Sequence, residues 1–442
     1  SACYIGLFYA LFIDAAELWF YFWNPYQTYT QYGCVVSDFL YFSYMDLEKP
    51  EGYSKETAEA ILQCYNHSGE AEAQKDDTSE GAIVPDDIIV IMNESWADLS
   101  CAGDFETNIP YNEFYTSLTE NTIKGTACVS IYGGNTPQSE YEFLTGNTIS
   151  FLPSGAIAYN LYIKKDTPSL VSQLSEQGYE CIAMHPEKAT NFNRNQVYPR
   201  LGFSQFLTED DFTDVVKIRE LCSDQSVYDK MIDVYENKQE GQKLFLYGVT
   251  MQNHGGYTYE GEDFTPLVQT VGLNKTYDKV NQYLTCMRYT DEALENLIGY
   301  FSDVDEHVMI VMFGDHHGDV GSDFYEELYG KKLIDVEGEQ YETRYETPFF
   351  IWTNYEIGEK ADEKISLNYL STLAMQTANI PLTEYQSFLA ELQSHYPVIS
   401  AAGIYDAEGN FYTWNNVEES ADYSYMKEYQ ILEYYMLENY KK

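Results

Sequence analysis

Five short runs of apolar, β-prone residues recur along this chain, at 87–92, 181–184, 244–250, 308–313 and 349–352. None shows the alternation of polar and apolar residues expected of a strand with one wet face. Continuous runs of this kind are expected where both faces of a strand are covered. Helical stretches lie between them, among them 169–177, 226–237 and 280–301. Strands alternating with helices favour parallel pairing, because a crossover returns the chain to the end of the sheet it left. The expectation is an α/β fold with a central, mostly parallel sheet flanked by helices. At 442 residues and 44% hydrophobic composition the chain can bury such a core, as one large domain with appendages or as two domains. Beyond residue 381 the pattern changes. A helix at 389–392, a hairpin at 403–414 turning on Glu408-Gly409, and a Tyr- and Glu-rich helix at 422–440 predict a smaller C-terminal α+β part.

The residues that follow each run are polar. Run 87–92 leads into Asn93-Glu94-Ser95, run 181–184 into His185, and run 244–250 into Gln252-Asn253-His254. Run 308–313 leads into Gly314-Asp315-His316-His317. Open α/β sheets bind ligands beyond the carboxyl ends of their strands. Glu94, His185, His254, Asp315 and His316 are therefore expected on one edge. Four of the seven histidines, His185, His254, His316 and His317, occupy such positions. Carboxylates with an imidazole form a donor set for a divalent metal of the Mn/Zn class. Glu94, Asp315 and His316 supply that set, and the hydroxyl of Thr136 could complete it.

Thr136 belongs to the run Tyr132-Gly133-Gly134-Asn135-Thr136-Pro137-Gln138-Ser139-Glu140. The glycines permit a tight turn, and Pro137 suits the first position of a helix. Thr136 then sits at the helix N-terminus, where amide groups and the helix dipole favour an anion. It has two readings there. It caps the helix, or its hydroxyl attacks a phosphate or sulfate held at that terminus. A metal touching it would favour attack, by lowering the hydroxyl pKa and by drawing charge from the phosphoryl oxygens.

The charge balance, 71 acidic against 25 basic residues for a net −46, excludes nucleic acid as a partner, since a phosphate backbone requires Lys and Arg. It also opposes electrostatic docking on an anionic membrane. Eight cysteines are scattered without metal-type spacing, and Cys128 and Cys181 lie in apolar runs that suit buried free thiols. Residues 1–23 are apolar and aromatic but contain Asp14 and Glu17 and lack a basic start. An acid at mid-bilayer costs roughly 2.5–3.5 kcal/mol. This segment reads as the end of a membrane region or an interfacial helix, with a buried helix as the alternative.

The ordered motifs resemble those of the lipoteichoic acid synthase and phosphoglycerol transferase family, within the alkaline phosphatase/sulfatase superfamily. They are Ile91-Met92-Asn93-Glu94-Ser95, then Gly133-Gly134-Asn135-Thr136 with Ser139-Glu140-Tyr141-Glu142-Phe143-Leu144-Thr145-Gly146. Met184-His185 follows, with Asn193-Arg194, Tyr198-Pro199 and Leu201-Gly202-Phe203. Last come Thr250-Met251-Gln252-Asn253-His254-Gly255, Phe313-Gly314-Asp315-His316 and Thr347-Pro348-Phe349-Phe350-Ile351-Trp352. The resemblance covers about 85–400 and, more faintly, 23–68. It implies one metal, typically Mn²⁺ with Mg²⁺ or Zn²⁺ as alternatives, on Glu94, Thr136, Asp315 and His316. It implies Thr136 as nucleophile, His254 and Arg194 on a glycerophosphate head group, and His185 lining the pocket. Phe192 stands where relatives carry a Trp, two positions before the Arg.

Changes of composition and pattern along the sequence divide the chain into a membrane-proximal segment (1–24), a helical lead-in and linker (25–84), a catalytic domain that the resemblance makes sulfatase-like (85–380) and a C-terminal subdomain with an acidic tail helix (381–442). The implied reaction moves glycerophosphate from a phosphatidylglycerol-type lipid, through phosphothreonine, to a polymer or glycan hydroxyl at the outer face of a cell membrane. Relatives carry several N-terminal membrane helices, so the sequence reads as a piece of a longer protein or a released soluble fragment. The alternatives are a phosphodiesterase or sulfatase-type hydrolase and an inert lipid- or glycan-binding relative. Sulfatases mature a Cys or Ser in a C/S-x-P-x-R run, and Thr136-Pro137-Gln138-Ser139 has no such Cys and no Arg.

Overall fold

Eight strands form the central sheet: β1 (Asp87–Asn93), β2 (Thr122–Cys128), β3 (Tyr179–Met184), β4 (Gln205–Leu207), β5 (Lys243–Val249), β6 (Val308–Gly314), β7 (Glu346–Thr353) and β8 (Lys360–Ser366). Their order across the sheet is β8-β2-β7-β6-β1-β5-β3-β4. The structure, a computed structural model, describes residues 18–66 except 19, 23 and 46, and residues 82–438 except 359. All five expected runs lie in strands of this sheet. Residues of β1 and β6 are buried along their whole lengths, as their unbroken apolar sequences require.

β7 departs from the expected parallel pairing. It runs antiparallel to β6 and β2, while the other pairings are parallel. The physical reason is the connection. After Gly314 the chain makes an excursion on the carboxyl side of the sheet and re-enters there, with Glu346 paired to Cys128 at the end of β2. No crossover returns it to the amino edge, so β7 must run the other way.

Successive strand residues point to opposite faces, and each face carries its own core. Ile88, Val90 and Met92 of β1 join one cluster, and Ile89 and Ile91 the other. The described helices include α1 (Pro25–Ser43), α2 (Lys55–Cys64), α3 (Pro137–Thr145), α4 (Asp224–Glu236), α5 (Asp278–Ser302), α6 (Leu367–Thr377), α7 (Glu384–His395) and α8 (Tyr423–Glu438). Helices α3, α6, α7 and α8 cover the first face, and α4 and α5 the second. The expected C-terminal hairpin is present, Ile404–Tyr405 against Phe411–Tyr412, with Val398–Ile399 as a third strand. Most of the apolar segment at 1–24 lies outside the described residues. No described helix is long and apolar enough to cross a membrane. The seven described cysteines are free thiols, with Cys128 and Cys181 buried as expected.

Candidate active site

The carboxyl ends of β1 and β6 lie side by side, so Glu94 and Asp315 follow paired residues, Asn93 and Gly314. Only glycine fits at 314, since a Cβ there would meet the Trp96 carbonyl oxygen at 1.8 Å. Asp315 Oδ1 accepts hydrogen bonds from the backbone N–H of Ser95 (2.7 Å) and of His316 (2.9 Å). Its Oδ2 is buried and has no hydrogen bond. Glu94 Oε1 accepts from the Ser95 hydroxyl at 2.8 Å. His316 Nδ1 lies 2.9 Å from the His317 carbonyl, which can only accept, so Nδ1 carries the proton. The lone pair of His316 Nε2 is thereby turned toward Asp315 Oδ2 at 3.2 Å and Glu94 Oε1 at 3.6 Å.

That arrangement is unfavourable without a cation. A buried imidazole lone pair and two carboxylates face one another, and Asp315 Oδ2 and His316 Nε2 make no hydrogen bond. Donor atoms of Glu94, Asp315 and His316 all lie within 4.8 Å of one another. The His316 Nδ1–H to carbonyl bond is the kind of support that orients a metal-binding histidine. Oxygen, oxygen and nitrogen donors fit a divalent ion of the Mn/Zn class. Burial, then the Glu94 charge, pushes the Asp315 carboxyl up to about 7. Burial opposes the charged form of His316, but the Asp315 and Glu94 carboxylates outweigh it and raise its pKa.

Thr136 occupies the N-cap position of α3, with Pro137 first in the helix, as the sequence predicts. The capping reading fails, however. The side chain makes no capping hydrogen bond, and Thr136 has helical dihedrals of φ −34° and ψ −43°. A side chain on a residue already inside the helical spiral is badly placed to reach back to the first amides. Its Oγ1 donates instead to Glu94 Oε2 at 3.3 Å. Gly133 (φ +69°) and Asn135 (φ +66°) make the turn, and the Ser139 hydroxyl locks the first helical turn to the Asp315 carbonyl at 2.7 Å. The metal-type corner and the hydroxyl thus share one frame.

A second group surrounds the ends of β3 and β5. His185 is buried, and its Nδ1 lies 2.9 Å from the Val249 carbonyl, so Nε2 carries the lone pair. Burial, then the nearby Arg194 charge, lowers its pKa to about 3, leaving a neutral ring at physiological pH. Arg194 opens helix Arg194–Leu201 and is only 2% exposed. Its Nε and Nη2 bond to Glu140, whose other oxygen accepts from the Tyr198 hydroxyl at 2.6 Å. Phe192 stacks near the guanidinium at 5.4 Å and is held at φ +52°, a costly conformation for a bulky residue. His254 is exposed, close enough to His185 to influence its titration, and its ring has no hydrogen bond among the described residues. His317 turns away from this edge, with Nε2 2.7 Å from the Glu346 carbonyl and Nδ1 3.0 Å from the Tyr325 hydroxyl.

Two residues without an assigned role in the sequence reading shape this group. Glu140, one helical turn beyond Thr136, holds Arg194. Its spacing from Thr136 was the available signal. Arg219 is 5% exposed and donates through Nη2 to the carbonyls of Gln252 (2.9 Å) and His254 (3.0 Å), tying down the His254 loop. Its distance from that loop in sequence left no signal.

The Sulfatase family model matches residues 86–380. Among curated proteins, a putative cyclic β-1,2-glucan modification protein of Rhizobium meliloti is 26% identical over 387 residues, covering 85% of this chain and 57% of the relative. The lipoteichoic acid synthase of Staphylococcus aureus is 29% identical over 211 residues, covering 45% of this chain and 31% of the synthase. The chain thus spans between about a third and just over half the length of these relatives. Among solved structures, the Streptococcus pyogenes phosphoglycerol transferase GacH in complex with sn-glycerol-1-phosphate superposes with a TM-score of 0.68 at 23% identity, over 88% of this chain and 94% of that one. From its fold, the ordered strand-end motifs and the family match, the chain belongs to the sulfatase family, with lipoteichoic acid synthases among its curated relatives and a phosphoglycerol transferase sharing its fold.

Proposed function

We propose that this protein is a metal-dependent phosphoglycerol transferase that uses Thr136 as its nucleophile. The observation that carries the reading is the corner where the Thr136 hydroxyl, unused as a cap, meets Glu94 beside the unpartnered Asp315 Oδ2 and His316 Nε2. Glu94, Asp315, His316 and Thr136 would hold one divalent ion, with Mn²⁺ first and Mg²⁺ or Zn²⁺ as alternatives. Such an ion supplies Lewis acidity toward a phosphoryl oxygen and acidifies the threonine hydroxyl.

Thr136 Oγ1 bonds to phosphorus of a phosphatidylglycerol-type lipid as the bond from phosphorus to the diacylglycerol oxygen breaks. Thr136 loses its hydroxyl proton, and the departing diacylglycerol gains one. His254, exposed and without a hydrogen bond on its ring, suits that proton donation. In the second step an acceptor hydroxyl bonds to phosphorus, Thr136 Oγ1 leaves, and the proton returns to it. The buried Arg194, kept charged by Glu140, and the neutral His185 face the glycerophosphate, with Phe192 against the guanidinium. The similarity to a lipoteichoic acid synthase and to a phosphoglycerol transferase in complex with sn-glycerol-1-phosphate supports a glycerophosphate donor. Fluorescent phosphatidylglycerol tests it: diacylglycerol is released by the wild type and not by Thr136→Ala. Release that survives the substitution sinks the nucleophile assignment, and no release from any phosphoglycerolipid sinks the donor class.

A further inference from the structure

A cavity of about 330 Å³ opens beside the nucleophile turn, between Ser130, Asn135 and Gln138 on one side, the 149–157 loop on another, and Ala401 and Trp414 of the C-terminal part on the third. Its volume is in the range of small-molecule sites. In a chain with 71 acidic residues, not one residue lining this cavity is charged. It therefore sets itself apart from the corner at Glu94 and from any need to hold phosphate.

The lining combines a fixed aromatic wall with neutral hydrogen-bonding groups. The half-buried Trp414 indole is held by its Nε1–H to the Ser400 carbonyl (2.9 Å) and by an edge contact with Phe151 (5.5 Å). The Gln138 amide is clamped between the Ala156 carbonyl and the Ala158 N–H, and Ser130 Oγ bridges Glu142 and the Ala401 N–H. Those groups are wall. Asn135 and Ser154 are exposed, and their side chains make no hydrogen bond among the described residues. They remain able to bond a ligand. An apolar, aromatic surface with a few neutral donors and acceptors suits a ring with an apolar face and hydroxyls at its edge.

We infer that this cavity binds a neutral sugar ring, and that it is the acceptor subsite of the transferase proposed above, on which the acceptor role rests. Asn135 and Gln138 line the cavity and stand one residue before and two residues after Thr136, so the cavity opens on the turn that carries the nucleophile. The acceptor oxygen bonds to phosphorus as the bond to Thr136 Oγ1 breaks, and the acceptor proton passes to that oxygen. The uncharged lining selects against a polyanionic acceptor such as a growing glycerophosphate chain.

The test is ligand-observed NMR titration of the whole chain with methyl β-glucoside, methyl β-galactoside and glycerol 1-phosphate, in the wild type, Trp414→Ala, Trp414→Phe, Ser154→Trp and Thr136→Ala. A neutral glycoside is expected to bind the wild type and Thr136→Ala alike. Its affinity falls at least about tenfold in Trp414→Ala and in Ser154→Trp, which plugs the exposed mouth without touching the core, and Trp414→Phe restores it. Binding of neither glycoside, or glycoside binding unmoved by Ser154→Trp, overturns the site. Glycerol 1-phosphate binding that Ser154→Trp abolishes overturns its neutral chemistry. Diacylglycerol release by the same preparations separates the two readings. Sugar binding at Trp414 without release leaves the sugar site standing and removes the transferase. Release without sugar binding does the reverse.

Discussion

Two clusters of buried acids lie against helix α3, one at its start and one toward its end, and they are built in opposite ways. At its start, Glu94, Asp315 and His316 meet Thr136, with Asp315 Oδ2 and His316 Nε2 left without hydrogen bonds. Toward its end, Glu142 Oε1 accepts from Ser130 (2.7 Å), Thr148 (3.2 Å) and the Ile149 N–H (3.0 Å). Nearby, Glu433 of α8 accepts from the Tyr141 hydroxyl (3.0 Å) and the Thr148 N–H (2.9 Å). All of these acids are buried to a similar degree. Burial is the largest cause of the raised pKa values of Glu142, about 7, and Glu433, about 8. The second cluster commits its carboxylate oxygens to neutral donors. The first, whose Asp315 is pushed up just as far, to about 7, leaves Asp315 Oδ2 and His316 Nε2 without hydrogen bonds and facing one another. Depth alone does not mark a functional acid; what the oxygens are left to do marks it.

The most severe way to break this contrast is Thr136→Ala. Turnover is expected to fall by about a thousandfold or more, while circular dichroism and the melting temperature stay near wild type, because the side chain caps nothing. A large loss of stability would return Thr136 to a structural role. The Arg194–Glu140 pair tests whether a hydrogen-bonded charge near the site also supports the fold. Glu140→Ala leaves a guanidinium buried without its partner, at a cost of about 3–5 kcal/mol in denaturant unfolding. An unchanged midpoint would show that the pair is not needed for folding.

A smaller effect distinguishes the clusters directly. Mn²⁺ at about 100 times its Kd should stabilise the wild type by about 2.7 kcal/mol, and Asp315→Asn should abolish that rise whereas Glu142→Gln should not. Thermal melts with Mn²⁺ and with chelator read it, and elemental analysis should find one ion per chain. No shift with any divalent ion would remove the metal from the corner.

The smallest effect at acid pH concerns Glu433. Its folded pKa of about 8 lies above its ordinary 4.5, so the folded chain holds a proton that the unfolded chain releases between those values. Its contribution is fully present below about pH 4.5 and is lost as pH rises toward 8. Glu142 acts with the same sign up to about 7. Glu433→Gln should differ from wild type by about 1 kcal/mol or less at acid pH and gain on it as pH rises. Urea midpoints at pH 5 and 8.5 check this, and parallel pH profiles would disprove it.

Much of this contrast was legible in the sequence at one cluster and little at the other. Glu94, Asp315 and His316 end apolar strands, and strand ends in a parallel sheet share an edge. Glu433 sits in a tail helix, and nothing local says that Tyr141 and Thr148 will meet it across some 285 residues. The same limit applies within the sheet. β2 and β8 read as mixed polar segments, TIKGTAC and KADEKIS, because β8 forms an edge and carries charges that an edge tolerates. Their strand character is supplied by pairing.

The sequence by itself determined the class of fold, since unbroken apolar strands separated by helices have few other ways to be covered. It also determined the turn at Gly133-Gly134-Asn135, the helix begun by Pro137 and the chemistry that follows each strand, because backbone preference and side-chain type are local properties. Tertiary structure alone decided the direction of each side chain. It turned Thr136 from cap to Glu94, sent His317 away while His316 stayed, engaged Arg194 with Glu140, and reversed β7. Those outcomes depend on which groups distant in sequence arrive within about 3 Å of one another, the range in which a hydrogen bond is made or left unmade.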